Sequence, residues 1–156
     1  MRIFNQLRSA FQELYNENIL HRDLKPTNIL FHNGVVKLAD FGFCKELLKE
    51  NDMTQTMVGS PIYMAPEVLK GMIYDIRADI WSLGVILYEM LYGLCPYEES
   101  TIPKLVSLID NTILRFPNDV VVSENVKALI KKMLTIKYRE RLTPQELIKV
   151  NIENPK

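Results

Sequence analysis

The chain has 156 residues, 47% of them hydrophobic and 24% charged, with 19 basic residues against 19 acidic ones. That is room for one domain with its own core rather than two, and the composition is that of an ordinary soluble globular protein. A formal net charge of +0 gives no bulk attraction to nucleic acid or to an anionic membrane, and two cysteines, Cys44 and Cys95, make neither a disulfide framework nor a zinc spacing, so a reduced, cytoplasmic setting is expected.

Ile3, Leu7, Ala10, Phe11 and Leu14 recur at helical spacing, which predicts an amphipathic helix over residues 1 to 16. This N-terminus has no apolar run of secretory type, so no signal peptide is expected. Ile19-Leu20 leads into a polar loop. Ile29-Leu30-Phe31 and Val35-Val36-Lys37-Leu38 are predicted strands joined at His32-Asn33-Gly34, where Asn-Gly favours a tight hairpin because both residues tolerate positive φ. The hairpin puts Asn28 and Asp40 at one end.

Residues 43–62 are polar, rich in Met and Thr and without a period, which predicts a long mobile loop. Pro66 opens a short helix ending near Lys70-Gly71. Asp79–Tyr92 predicts a helix closed by Gly93 and Pro96. The apolar stretch from Ile80 to Tyr97 resembles a membrane span in hydropathy, but Asp79, Ser82 and Glu89 interrupt it, which points to a core helix. Ile102, Leu105, Val106 and Ile109 mark another helix. Ser123 is the expected cap of the next, whose stripe is Val126, Leu129, Ile130, Met133 and Leu134. Thr143-Pro144-Gln145-Glu146 is a capping box opening the last helix. The expected fold is mainly α: a helical bundle with one small β-hairpin.

Chemistry-bearing residues fall in a fixed order: HRDLKPTN at 21–28, DFG at 40–42, GSPIYMAPE at 59–67, DIWSLG at 79–84, and Arg141 in YRERLTPQEL. A phosphoryl-transfer site needs a base to orient a hydroxyl, oxygen ligands for magnesium, and a positive charge beside the phosphate that moves. Asp23, Asn28, Asp40 and Lys25 are those residue types. Together the five segments resemble the catalytic large lobe (C-lobe) of a eukaryotic-type protein kinase, over essentially the whole chain, 1–156.

That resemblance implies roles. Asp23 would orient the acceptor hydroxyl, and Lys25 would touch both Asp23 and the transferred phosphoryl of ATP. Asn28 and Asp40 would hold Mg2+. Lys25 and Ser60 match serine/threonine rather than tyrosine kinases, with the Ser60 hydroxyl reaching Asp23 and Lys25. Arg22 would receive a phosphate from the activation segment at Thr56, with Thr54 as a nearby alternative and Lys45 as a second basic contact. Glu67 and Arg141 would form a buried ion pair, and Asp79 would accept hydrogen bonds from the catalytic-loop backbone. His21, Phe41 (with Gly42 following in the DFG turn) and Asp79 would stack as part of a spine. Cys44 would lie near the nucleotide. Thr27, where many kinases that choose basic substrates carry Glu, argues against an arginine requirement before the target residue. Pro61 and Met64 imply an apolar pocket for the residue after it. GSPIYMAPEVL and RADIWSLGVILYEML resemble the calcium/calmodulin-dependent group and, more closely, the autophagy-initiating serine/threonine kinases.

The small lobe of such a kinase carries a GxGxxG turn over the phosphates, a strand lysine and a helix glutamate. Gly34, Gly42, Gly59, Gly71, Gly84 and Gly93 are too scattered for that motif. The N-terminal β lobe is therefore expected to be absent. The expectation is a fragment of a full kinase, transferring the γ-phosphoryl of ATP to Ser/Thr of protein substrates when completed by a small lobe. The alternatives are a split enzyme completed by a separate lobe, and a non-catalytic pseudokinase-like binding or regulatory module. An exposed apolar patch is expected where the other lobe would sit.

Overall fold

Phe4, Leu7, Phe11 and Leu14 all lie on the buried face of the first helix, α1 (Arg2–Asn16), so the apolar stripe decides both the helix and the side it turns inward. These features belong to a computed structural model that describes residues 1–47 and 53–150. Residues 48–52 of the predicted loop, and the last six positions of the predicted 1–156 domain, lie outside the described residues.

From α1 the chain enters β1 (Ile19–Leu20), a 3-10 turn at Pro26–Asn28, and the hairpin β2 (Ile29–His32) and β3 (Val35–Leu38). The hairpin register pairs Ile29 with Leu38 and His32 with Val35, leaving Asn33-Gly34 as the two-residue turn. Both have positive φ, 51° and 75°, as a tight primed turn requires. Gln6 on α1 fastens the hairpin: its Oε1 accepts from Val36 N at 2.7 Å and its Nε2 donates to Gly34 O at 3.3 Å. A further bond from Ala39 N to Asn28 O, 2.9 Å, carries the pairing past the strand ends and sets Asn28 and Asp40 side by side in the chain path.

Among its described residues, the predicted loop 43–62 is more ordered than its composition indicated. Lys45–Glu46 forms a strand, β4, antiparallel to β1. Thr54 pairs with Tyr74 in an isolated bridge, and Pro61–Tyr63 is a 3-10 turn. The reason lies outside the segment: buried partners at Leu20 and Tyr74 supply hydrogen bonds that no local period announces.

Four helices follow α2 (Pro66–Leu69): α3 (Arg77–Tyr92), α4 (Ile102–Asn111), α5 (Glu124–Met133) and α6 (Pro144–Lys149). α3 begins two residues earlier than the apolar run predicted, and Ala78 to Tyr88 are continuously buried. It is the spine of the core, with Gly93 in a left-handed conformation ending it. Gly84 lets α5 approach; a Cβ there would lie 2.9 Å from Met133 Cβ and from Leu134 Cδ2. Ser123 stands at the N-cap of α5, but its side chain makes no capping bond, whereas the Thr143–Glu146 capping box is complete. α6 packs back on α1, and Arg8 donates to the Val150 carbonyl.

The result is mainly helical, and among the described residues no helix is long and apolar enough to cross a membrane. Leu30, Phe31 and Val35 of the hairpin, and Phe41 and Phe43 beyond it, are each exposed. Exposed apolar side chains of this kind are candidates for a contact surface.

Candidate functional site

The loop after β1 is held from beneath by one buried carboxylate. Asp79, on the first turn of α3 and 1% exposed, accepts from His21 N at 2.7 Å and from Arg22 N at 3.0 Å. Burial pushes this carboxyl upward, and the two backbone donors, from His21 and Arg22, together with the Arg22 charge oppose it. The double contact compensates a strained backbone, because Arg22 sits at φ 70°. The His21 ring is fixed on both sides: Asp23 N donates to its Nδ1 at 3.3 Å, so Nε2 carries the proton and donates to Ala39 O at 3.2 Å. Phe41 stacks at a tilt on the same ring, 5.3 Å between centroids.

With its backbone so held, the Asp23 side chain becomes the hub of a polar cluster. Lys25 Nζ lies 2.8 Å from its Oδ2. Ser60 donates to its Oδ1 at 3.1 Å, and Lys25 in turn donates to Ser60 Oγ at 2.9 Å. Asn28 Nδ2 donates to the Asp23 carbonyl at 2.9 Å and to Oδ2 at 3.1 Å. Burial acts to raise the Asp23 carboxyl. The Lys25 and Ser60 hydrogen bonds, the Lys25 charge and the Asn28 amide outweigh it, and the group titrates below the usual carboxylate range. Its folded value is below its unfolded one, so its contribution to stability is present above the unfolded value. That contribution is lost as pH falls through the folded value. At neutral pH the cluster therefore presents a carboxylate flanked by three donors, Lys25, Ser60 and Asn28.

Asn28 commits only its Nδ2 to these bonds, so its Oδ1 takes no part in the Asp23 cluster. Asp40 is exposed in a left-handed conformation, φ 60°, and its Oδ1 accepts from Gly42 N at 3.3 Å. Its carboxylate is not bonded to Asn28 or Asp23; the backbone link at Ala39 is what brings it to their end of the hairpin. These are hard oxygen donors suited to a small divalent cation. Among the described residues no group of three or more His, Cys, Asp or Glu side chains is placed to hold a metal by itself.

Gly59 closes the cluster from the opposite segment. Its φ is 107°, and a Cβ there would stand 2.3 Å from the Arg22 carbonyl and 3.3 Å from Asp23 Oδ1. Only glycine permits Ser60 to reach Asp23. Gly59→Ala is expected to destabilise this contact by about 1–3 kcal/mol and to separate Ser60 from Asp23. Loss of exchange protection at residues 53–63 with α3 unchanged is the measurement that checks it.

Glu67 and Arg141 meet as the sequence implied. Both are buried, with Nη1–Oε1 at 2.5 Å and Nη2–Oε2 at 2.8 Å. Arg141 also donates to the Arg77 and Thr135 carbonyls at 2.9 Å each, and its guanidinium lies 5.1 Å over the Trp81 ring. Every donor direction of the fork is used.

Several expectations are corrected. Thr54 is buried and tied into the bridge with Tyr74, so its hydroxyl is not offered to solvent as Thr56's exposed position is. Met64 is buried in the core, while Pro61 is exposed. Cys44 is half-buried and its thiol donates to the His21 carbonyl at 3.7 Å. Burial and the Asp79 and Asp40 charges push it up to about 11, against the pull of Arg22. A rise of that size lowers the thiolate fraction more than it raises nucleophilicity, so alkylation by iodoacetamide at neutral pH is expected about tenfold slower than for a free thiol. Mass-spectrometric labelling rates check this.

Three contacts escaped sequence reasoning. Tyr63 donates to Glu89 Oε2 at 2.9 Å, and Ser82 holds the Tyr63 carbonyl at 2.7 Å. Tyr74, buried, donates to the Thr56 carbonyl at 2.6 Å. Tyrosines in mixed segments carry no period, so nothing in the spacing distinguished them from core residues.

The family model described as the protein kinase domain matches residues 1–151. The chain is 41% identical over 147 residues to serine/threonine-protein kinase ATG1b of Arabidopsis thaliana, covering 90% of this chain and 20% of that protein. It is 38% identical over 149 residues to the carbon catabolite-derepressing protein kinase of Candida tropicalis, covering 94% and 24%. It is 40% identical over 144 residues to serine/threonine-protein kinase 36 of Mus musculus, covering 92% and 11%. The chain thus spans about a tenth to a quarter of the length of these curated relatives.

Proposed function

The chain belongs to the protein kinase domain family, with serine/threonine kinases among its relatives, and on that premise we propose that it is the large lobe of such an enzyme. Joined to a small lobe, it transfers the γ-phosphoryl of ATP to serine or threonine hydroxyls of protein substrates. The observation that carries this is the Asp23 carboxylate, held ionised with Lys25, Ser60 and Asn28 around it.

In this reading Asp23 accepts a hydrogen bond from the acceptor hydroxyl and aims its oxygen at the phosphorus. Lys25, already shared between Asp23 and Ser60, places positive charge where the moving phosphoryl carries negative charge. Ser60 ties the acceptor-side segment to Asp23, so the hydroxyl is presented only when that segment is in place. Asn28 Oδ1 and Asp40 are the ligands for Mg2+, which when bound neutralises charge on the phosphates. Phe41 against His21, and Asp79 beneath the loop, keep these groups in register. Arg22 receives a phosphate on Thr56, with Lys45 as a second contact. The exposed apolar hairpin surface is the seat of the small lobe, and the setting is cytoplasmic.

The test is acceptor choice. A polypeptide joining this domain to a small lobe with a glycine-rich loop is expected to phosphorylate serine and threonine in a degenerate peptide library and to leave tyrosine untouched. Tyrosine phosphorylation, or none, overturns the reading; none with intact ATP binding points instead to a non-catalytic regulatory module.

A further inference from the structure

The segment carrying Thr56 is held by few bonds. The Thr54 bridge to Tyr74 consists of two backbone bonds of 2.8 Å. Gln55 adds an exposed side-chain bond to Gly71 O at 2.9 Å. Between that point and the close approach at Gly59, the buried Tyr74 hydroxyl grips the Thr56 carbonyl at 2.6 Å while the Thr56 side chain stays exposed. Three residues on, Gly59 lies against the Arg22 carbonyl, where an added Cβ would stand 2.3 Å away. Burial raises the Tyr74 pKa, and Arg22 pulls against it. Arg22 itself is steered by its Nε, which donates to the Phe43 carbonyl just beyond the Asp40-Phe41-Gly42 turn. The segment bearing the exposed threonine is therefore fixed on one side by the Tyr74 phenol and on the other by Arg22, the residue expected to meet its phosphate.

We propose that Tyr74 is a positioning residue whose hydroxyl holds Thr56 at a fixed distance from Arg22, so that a phosphate on Thr56 engages that guanidinium through pre-set geometry rather than by ordering a free loop. The inference rests on the reading of Thr56 as the phosphosite. A bond to the backbone carbonyl leaves the threonine side chain free to be modified and fixes where the product will stand. Arg22, bonded to the Phe43 carbonyl and against Gly59, then links the modified segment to the turn bearing Asp40.

The readout is the second pKa of phosphothreonine at position 56, followed by 31P NMR in the 156-residue chain. Exposed phosphothreonine titrates near about 6, and a guanidinium in contact should lower it by about 1 unit. Tyr74→Phe keeps the ring and both backbone bonds to Thr54. It is expected to return the value at least halfway to that of an exposed phosphate, with the Thr54 amide still protected from exchange. A purely structural role for Tyr74 does not move this value. An unchanged depression in Tyr74→Phe overturns the inference and leaves the phosphosite reading standing. An ordinary value in the unsubstituted chain overturns both. Should Tyr74→Phe fail to fold, the 13Cζ resonance of Tyr74 in the unsubstituted chain decides: it is expected to shift when Thr56 is phosphorylated, and an unmoved resonance overturns the inference.

Discussion

Asp23→Asn, in a polypeptide that joins this domain to its small lobe, is expected to lower kcat by about 10²–10⁴-fold with little change in the KM for peptide. Asparagine matches the carboxylate in shape but has no second acceptor oxygen and no charge. It can no longer accept from Ser60 on one side and pair with Lys25 on the other, as Oδ1 and Oδ2 do in this structure. The acceptor hydroxyl then has no oriented base. Steady-state kinetics alongside a thermal melt check this: the main loss should lie in kcat, with the melt lowered only modestly, because the stability given by the ionised carboxylate is lost while Lys25, partly exposed, finds water. A fall in KM affinity alone, with kcat intact, would assign Asp23 to substrate binding.

The second large effect is on stability. Arg141→Met leaves the Glu67 carboxylate buried without its partner, and a stranded charge of that kind costs about 3–5 kcal/mol. Against a whole-domain stability of about 5–15 kcal/mol that is enough to move the melting temperature by about 10 °C. The three carbonyls that Arg141 now serves, Arg77, Thr135 and Ile136, also lose their donor. The double variant Glu67→Leu with Arg141→Met removes the stranded charge and should be less destabilised than the sum of the two singles. Chemical denaturation of the four proteins checks the cycle; simple additivity would mean that the pair is not coupled as its bidentate geometry requires.

Both effects concern residues whose place was legible without coordinates, and the reason is physical. Groups that must meet a phosphate or bury a charge are restricted in type, so their order along the chain carries information: Asp23, Lys25, Asn28 and Ser60 do converge, and Glu67 does find Arg141. The hairpin was equally plain, because Asn33-Gly34 dictates its turn. The helices followed from their stripes, α3 excepted at its start, where Arg77 and Ala78 extend it beyond the apolar run. What stayed hidden depends on partners far off in sequence. β4 exists because Leu20 and Ile19 offer a strand to pair with. Thr54 looked like any loop hydroxyl until Tyr74 was seen to bridge it. Met64, apolar beside a substrate segment, was read as a pocket wall and is instead core. Tyr63 and Tyr74 act through single hydroxyls, which leave no trace in a hydrophobic pattern. Asp40 was expected at the same rim as Asn28; the backbone brings it there, while its side chain stays exposed and bonded only to its own turn.

Asn28 and Asp40 are proposed to present their oxygens to one cation beside Asp23. Manganese with ATP, titrated into the 15N-labelled chain, tests it most directly through paramagnetic broadening. The Asn28 side-chain amide and the Asp40 and Phe41 backbone amides are expected to vanish first, with α4 and the acidic edge formed by the exposed Glu98 and Glu99 beyond α3 unaffected. Broadening centred at that acidic edge, or spread evenly over the surface, would contradict it.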